Sequence, residues 1–208
     1  MRGIARTLAT VVCVIVFIVL LGASYAFSGD KVFSGRVVDA KRKEPIEGAV
    51  VVIYWYEATT TTIGNESTRI KDVEECLTDR NGEWKIVGEE GENVNPDPYS
   101  LITGSYYTRK PEFIVFKPGY CSWPVGYSVE ACQGKMKFTG AGEIMEGKTL
   151  KLPKISKKED RLRVLPETIG GSIPIHRKQK AFMRLINEER RNLDIGINEW
   201  YQELLNEK

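Results

Sequence analysis

Phe33-Ser34-Gly35-Arg36-Val37-Val38-Asp39, then Pro45-Ile46-Glu47-Gly48-Ala49-Val50-Val51-Val52, then Thr78-Asp79-Arg80-Asn81-Gly82-Glu83-Trp84: these segments decide the fold. The first alternates and becomes β-branched toward its end, as a strand does. Pro45 and Gly48 bracket a bend, after which Ala49 to Tyr56 is a continuous apolar and aromatic run, the pattern of a strand buried on both faces or wrapped by the rest of the sheet. In the third segment Asn81-Gly82 tolerates the positive φ of a tight turn, so Val73 to Leu77 and Glu83 to Val87 are expected to flank a hairpin. A strand, a bend, a core strand and a tight turn point to a mainly β protein built as a small antiparallel β-sandwich.

Working outward, Thr59 to Thr62, Ile63 and Gly64-Asn65 are expected to form a surface excursion with some strand character. Gly88 to Lys110 is a long insertion, acidic and then aromatic, and Phe113 to Phe116 returns as a strand. Lys117-Pro118-Gly119-Tyr120 is a turn followed by an aromatic anchor, and Glu143 to Leu152 is the last strand candidate. Lys41-Arg42-Lys43 belongs to a polar surface turn after the first strand. Asp79, Asn81 and Glu83 alternate oxygen ligands, but a calcium loop needs a longer set ending in a bidentate carboxylate, which favours the plain turn.

As a set, Gly35 and Asp39, Pro45 to Val51, Thr78 to Trp84 and Phe116-Lys117-Pro118-Gly119-Tyr120 resemble the motifs of the carboxypeptidase regulatory-like domain family. The likeness covers Lys31 to Leu152. It implies a seven- or eight-stranded sandwich of transthyretin type that is usually non-catalytic and accompanies peptidases, outer-membrane transporters and surface proteins. The chain departs from the family in its two insertions, Glu57 to Asp72 and Gly88 to Lys110.

At the start of the chain Arg2 and Arg6 precede an apolar run from Ala9 to Leu21, and Ser24-Tyr25-Ala26 puts small residues at its exit. Residues 1–26 therefore read as a signal peptide. The competing assignment is an uncleaved anchor, since Leu8 to Phe27 is about 20 residues, enough to cross a bilayer. Either way the globular part is expected outside the cytoplasm, periplasmic or at the cell surface, with the membrane contacted only through this segment if it is uncleaved. Export leaves Cys76, Cys121 and Cys132, an odd number in a compartment that permits disulfides. Cys121 and Cys132 flank a loop rich in Trp, Tyr and Gly and are the candidate bridge, with three reduced thiols as the alternative.

Residues 153–171 read as a charged linker and residues 172–208 as a helical tail. Ser172 is placed to cap a helix with Pro174 in its first turn. Phe182, Leu185, Ile186 and Leu193 keep helical spacing, continued by Ile197, Trp200 and Leu204, with Gly196 as a break between two helices. This stripe needs a partner surface: the sandwich itself, or another protein for which Phe182, Leu185, Ile186, Ile197 and Trp200 would be the docking face.

The chain has 208 residues, 42% hydrophobic and 28% charged, with a formal net charge of +2, so charge gives no reason to expect nucleic acid as a partner. Its one histidine, His176, has no nucleophile or carboxylate motif around it, and Cys-x-x-Cys is absent. Neither catalysis nor a cofactor or metal is expected. Two functions remain: an interaction or structural module of the cell envelope, or a carbohydrate-binding module. The second would stack Tyr106, Tyr107, Tyr120 and Trp123, with Tyr99 and Tyr127, on a polysaccharide if those rings share an exposed face.

Overall fold

In a computed structural model the described residues are 30–60, 66–91, 105–124, 129–132 and 146–207. From Lys31 onward they belong to one compact unit. The strands among them are β1 (Asp30–Asp39), β2 (Val50–Thr60), β3 (Glu66–Leu77), β4 (Glu83–Glu89), β5 (Ser105–Thr108), β6 (Glu112–Phe116) and β7 (Glu146–Leu152). Four short helices follow: α1 (Lys158–Arg163), α2 (Ile173–Arg177), α3 (Lys180–Asn192) and α4 (Glu199–Asn206). The protein is mainly β, with two sheets and a helical C-terminal part.

One sheet has the order β4-β1-β7, and the other is organised on β2. Along one side β2 pairs with β3 over its whole length, from Val50↔Leu77 to Thr60↔Glu66. Along its other side the first half pairs with β6, from Val50↔Phe116 to Tyr54↔Glu112, and the second half with β5, from Glu57↔Thr108 to Thr60↔Ser105. All three pairings are antiparallel. The expectation of a purely antiparallel protein is corrected in the first sheet, where β1 and β7 run parallel from Gly35↔Lys148 to Asp39↔Leu152. Strands this far apart in sequence need no tight turn between them, so parallel pairing is open to them.

Strand alternation sorts the apolar residues into two layers. Val51, Ile53, Trp55, Phe113 and Val115 face Phe33, Val37, Trp84, Ile86, Leu150 and Leu152 of the other sheet, forming the cluster between the sheets. On the opposite face Val50, Val52, Tyr54, Ile114 and Phe116 are covered by Phe182, Met183 and Ile186 of α3 and by Tyr201 and Leu204 of α4. This is why Ala49 to Trp55 reads as an uninterrupted apolar run: one face meets a sheet and the other meets the tail. Each buried large side chain of the tail contributes about 1.5–3 kcal/mol before the entropy of ordering is subtracted.

Several sequence expectations are revised. Residues 57–60 and 66–72 form the far half of the β2–β3 pair, residues 61–65 of the expected excursion lying outside the described residues, and the described part of the insertion at 88–110 contains β5. The Asp79–Gly82 turn is present, closed by Gly82 N–H donating to the Asp79 carbonyl at 2.9 Å, but β3 and β4 lie in different sheets. The turn hands the chain from one sheet to the other rather than closing a two-stranded hairpin. Two contacts direct it: Val37 N–H donates to the Gly82 carbonyl at 2.8 Å, and the Thr78 hydroxyl donates to the Ile46 carbonyl at 2.6 Å. The segment at 153–171 is not a bare linker, since it holds α1 and puts Ile155 and Val164 into the inter-sheet cluster. The leader and its exit, Met1 to Ala26, lie outside the described residues. Among the described residues no helix is long and apolar enough to cross a membrane.

The tail is pinned by polar contacts as well as by packing. Glu75 of β3 accepts the Ala181 and Phe182 N–H groups at the start of α3, at 2.6 and 2.9 Å. Lys178 reaches Asp72 and Glu74 at 2.7 and 2.8 Å, and Arg161 of α1 grips the buried Glu189 of α3 with two bonds of 2.7 and 2.6 Å. Fully buried Gln179 holds both the N–H and the carbonyl of Ile169, at 2.7 and 2.9 Å, which fixes the segment ahead of α2.

Candidate functional site

The end of β1 and the end of β7 build a basic hollow. Parallel pairing sets Val38 beside Lys151 and Asp39 beside Leu152, and Ala40 N–H continues the ladder to the Leu152 carbonyl at 2.9 Å. The chain then turns through Ala40, Lys41, Arg42 and Lys43. Asp39 is the pivot of that turn: one carboxylate oxygen accepts the Lys41 and Arg42 N–H groups, each at 2.8 Å, and its carbonyl accepts Lys43 N–H at 2.9 Å. Lys43 takes the left-handed conformation, φ +63°, uncommon for a residue other than glycine.

Opposite the turn stand Lys151, Pro153 and Lys154, and the space between is about 590 Å³. Lys154 is held by an antiparallel bridge to Tyr120, and its ammonium lies 5.9 Å from the Tyr120 ring centre. Tyr120 lies close enough to Asp39 and Arg42 for the three groups to influence one another electrostatically. Burial works to raise the Asp39 carboxyl, but the Arg42 and Lys41 N–H groups and the Arg42 charge together hold it below its usual range. Burial pushes the Tyr120 hydroxyl up. Arg42 is committed to Glu44 at 3.1 Å and stands 3.7 Å from Asp39, whereas Lys41 and Lys151 face the hollow with no side-chain partner among the described residues. The lining carries five cationic side chains and one carboxylate.

A second hollow of about 590 Å³ lies over Gly35 and Trp84, with Arg36, Asp79, Glu83 and Lys85 around it. Its charges are mixed. A Cβ on Gly35 would meet the Trp84 ring at 2.9 Å and the Lys148 carbonyl at 3.0 Å, so glycine there lets Trp84 pack against β1. Asp79 spends one oxygen on the Asn81 and Glu83 N–H groups, at 2.9 and 2.8 Å, which is the use of a turn carboxylate rather than of a calcium ligand.

The candidate carbohydrate platform is not assembled by the described rings. Trp123 is withdrawn as a ligand contact: it is 1% exposed and belongs to the inter-sheet cluster, because antiparallel bonds to Val115 carry it inside. Tyr120 is half-buried and engaged with Asp39, Arg42 and Lys154, and Tyr107 donates to Glu66 at 3.0 Å beside Arg109. The Tyr106 side chain, Tyr99 and Tyr127 lie outside the described residues.

The candidate docking tail is mostly spent internally. Phe182 and Ile186 are buried and Leu185 is packed against the same cluster, so their partner is the sheet; Ile197 is half-buried and Trp200 is 42% exposed. Cys121 and Cys132 are joined in a disulfide, Cα to Cα 6.0 Å, and both are buried. Cys76 is a free thiol, half-buried, which burial pushes up to about 11. His176 packs edge-on against Trp200, ring centres 4.7 Å apart, with Nδ1 3.1 Å from the Ser172 carbonyl. Nothing in the local sequence pattern joins Lys41 to Lys151, so the Asp39–Lys43 hollow is not legible before the fold is known. The only signal was the Lys41-Arg42-Lys43 run.

No protein-family model matches the chain, and neither the curated proteins nor the solved structures include a match to it.

Proposed function

We propose that this is an exported, non-catalytic protein of the cell envelope whose sheets form a transthyretin-type sandwich of the carboxypeptidase regulatory-like kind, acting as an interaction or structural module. The observation that carries the proposal is the Cys121–Cys132 disulfide, a bond that persists in oxidising compartments and is rare in the cytosol. It agrees with the basic, apolar and small-residue sequence of the leader. The non-catalytic character is supported by His176, whose ring is engaged by Trp200 and the Ser172 carbonyl, an arrangement of packing rather than of proton transfer. In this reading the tail is part of the module's body, and its contact surfaces are the sheet edges, the hollows and the exposed face around Trp200.

Fractionation followed by intact-mass measurement tests the compartment. A mature chain starting at or near Phe27 in the envelope fraction is the expected result, and a full-length chain in the membrane pellet would favour the anchor. Recovery of the chain in the cytosol with Cys121 and Cys132 reduced would sink the proposal. Pull-down from the envelope fraction then tests the interaction role.

A further inference from the structure

We infer that the hollow between the Asp39–Lys43 turn and the end of β7 is a binding site for a multivalent phosphate anion. The inference stands on the hollow itself and does not depend on the compartment assigned above.

Lys41, Lys43, Lys151 and Lys154 line one concavity; Lys43 donates to the Ala40 carbonyl and Lys154 lies over the Tyr120 ring, while Lys41 and Lys151 have no side-chain partner among the described residues. Asp39 is 2% exposed and commits one oxygen to two backbone N–H groups, so it shapes the turn more than it neutralises the rim. Glu44 is taken by Arg42. The turn closes only by holding Lys43 at φ +63°, a conformation that costs energy for a side chain of this kind. An excess of cationic side chains over carboxylates around one exposed concavity makes it complementary to an anion.

The type of cation selects the anion. The planar Arg42 fork, suited to a single carboxylate, is engaged by Glu44 at 3.1 Å, leaving compact ammonium groups that act as point charges. Point charges favour charge density, which phosphate supplies. A space of about 590 Å³ rimmed on two sides exceeds a lone phosphate and suits several linked phosphates, or a phosphorylated lipid headgroup at a membrane surface.

The test uses the full-length protein with two probes. Sodium tripolyphosphate is titrated calorimetrically, and flotation compares phosphatidylglycerol vesicles with phosphatidylcholine vesicles for parent, variant and control alike, since the N-terminal stretch with Arg2 and Arg6 is common to all three. Binding of either anionic probe is expected at low salt and should weaken at about 0.15 M salt. The variant Lys41→Gln, Lys151→Gln, Lys154→Gln should lose roughly tenfold or more in affinity while its Tm stays level or rises, because repulsion is relieved. A control of equal charge change, Lys85→Gln, Arg184→Gln, Arg191→Gln, should bind as the parent does. Tripolyphosphate binding without vesicle binding identifies a soluble anion, and the reverse identifies a headgroup. Failure of both probes, or equal loss in the triple variant and the control, would overturn the inference, as would a triple variant that binds unchanged. If the triple variant melts lower, Lys41→Gln and Lys151→Gln are tested singly. Unchanged binding in both would overturn the inference, and loss in either would support it.

Discussion

At Gly82 the backbone sits at φ +74°, and a Cβ there would lie 2.3 Å from the Val37 carbonyl oxygen. Gly82→Val is expected to cost on the order of 1–3 kcal/mol or more, and an unchanged Tm would remove the assigned turn. The need for a special turn residue is legible in Asn81-Gly82. The Val37 oxygen behind it is not, because it arrives from β1, distant in sequence and brought alongside only by the fold. Asp39 supports a second prediction. Asp39→Ala strands two N–H groups and should cost about 1–3 kcal/mol at neutral pH. The folded carboxyl sits below its usual range, so this contribution is complete above the unfolded value of about 4 and fades as pH falls through the lower folded one. Urea unfolding should show parent and variant converging in acid, and curves that stay parallel would contradict the assignment. The burial of Trp123 was not legible, since loop composition carries no record of which ring the Val115 ladder draws inside.

The tail shows how an element's partner can be read from both ends. Its helical periodicity and the two-sided apolar run of β2 each announce a buried face, and the structure lays one on the other. The end of β3, Val73 to Leu77, is legible in the sequence, whereas its start, Glu66 to Arg69, is exposed and polar on both faces, held to β2 by backbone pairing without alternation to betray it. Removing Ser172 to Lys208 should uncover Val50, Val52, Tyr54, Ile114 and Phe116, so the remainder should melt lower or aggregate; a monomer with the parent's Tm would deny the tail its structural role. Glu75 adds a finer test. Burial raises its carboxyl, outweighing the opposing Ala181 and Phe182 N–H groups. A raised folded value means that the associated stability is fully present below the unfolded value of about 4.3 and is lost as pH rises through the folded one. Glu75→Gln should flatten that part of the pH profile of unfolding, measured in urea from pH 4 to neutral as about three points, and a slope identical to the parent's would refute it.

For the molecule as a whole, two sheets around one cluster were foreseeable from the spacing of apolar runs, whereas the parallel closure of β1 on β7 was not, since pairing between distant segments leaves no local mark. The disulfide acts at this scale. Cys121 and Cys132 are 11 residues apart, and losing a bridge over such a loop should cost about 3 kcal/mol through the freedom restored to the unfolded chain. Replacing both cysteines by serine should lower Tm, and reductant should then have no further effect. A parent whose Tm is insensitive to reductant would show that the bridge adds nothing.

The same long-range closure dictates an order of events during synthesis. β1 emerges early, but its neighbour β7 and the helices that cover β2 are encoded near the end of the chain. A growing chain therefore exposes one unpaired side of β1 until β7 has emerged, and the outer face of β2 until α3 and α4 follow, and contacts this far apart in sequence are slow to form. For much of its biogenesis the chain presents an adhesive strand edge and an oily surface. Both are covered only when β7 has paired with β1 and α4 has docked on β2.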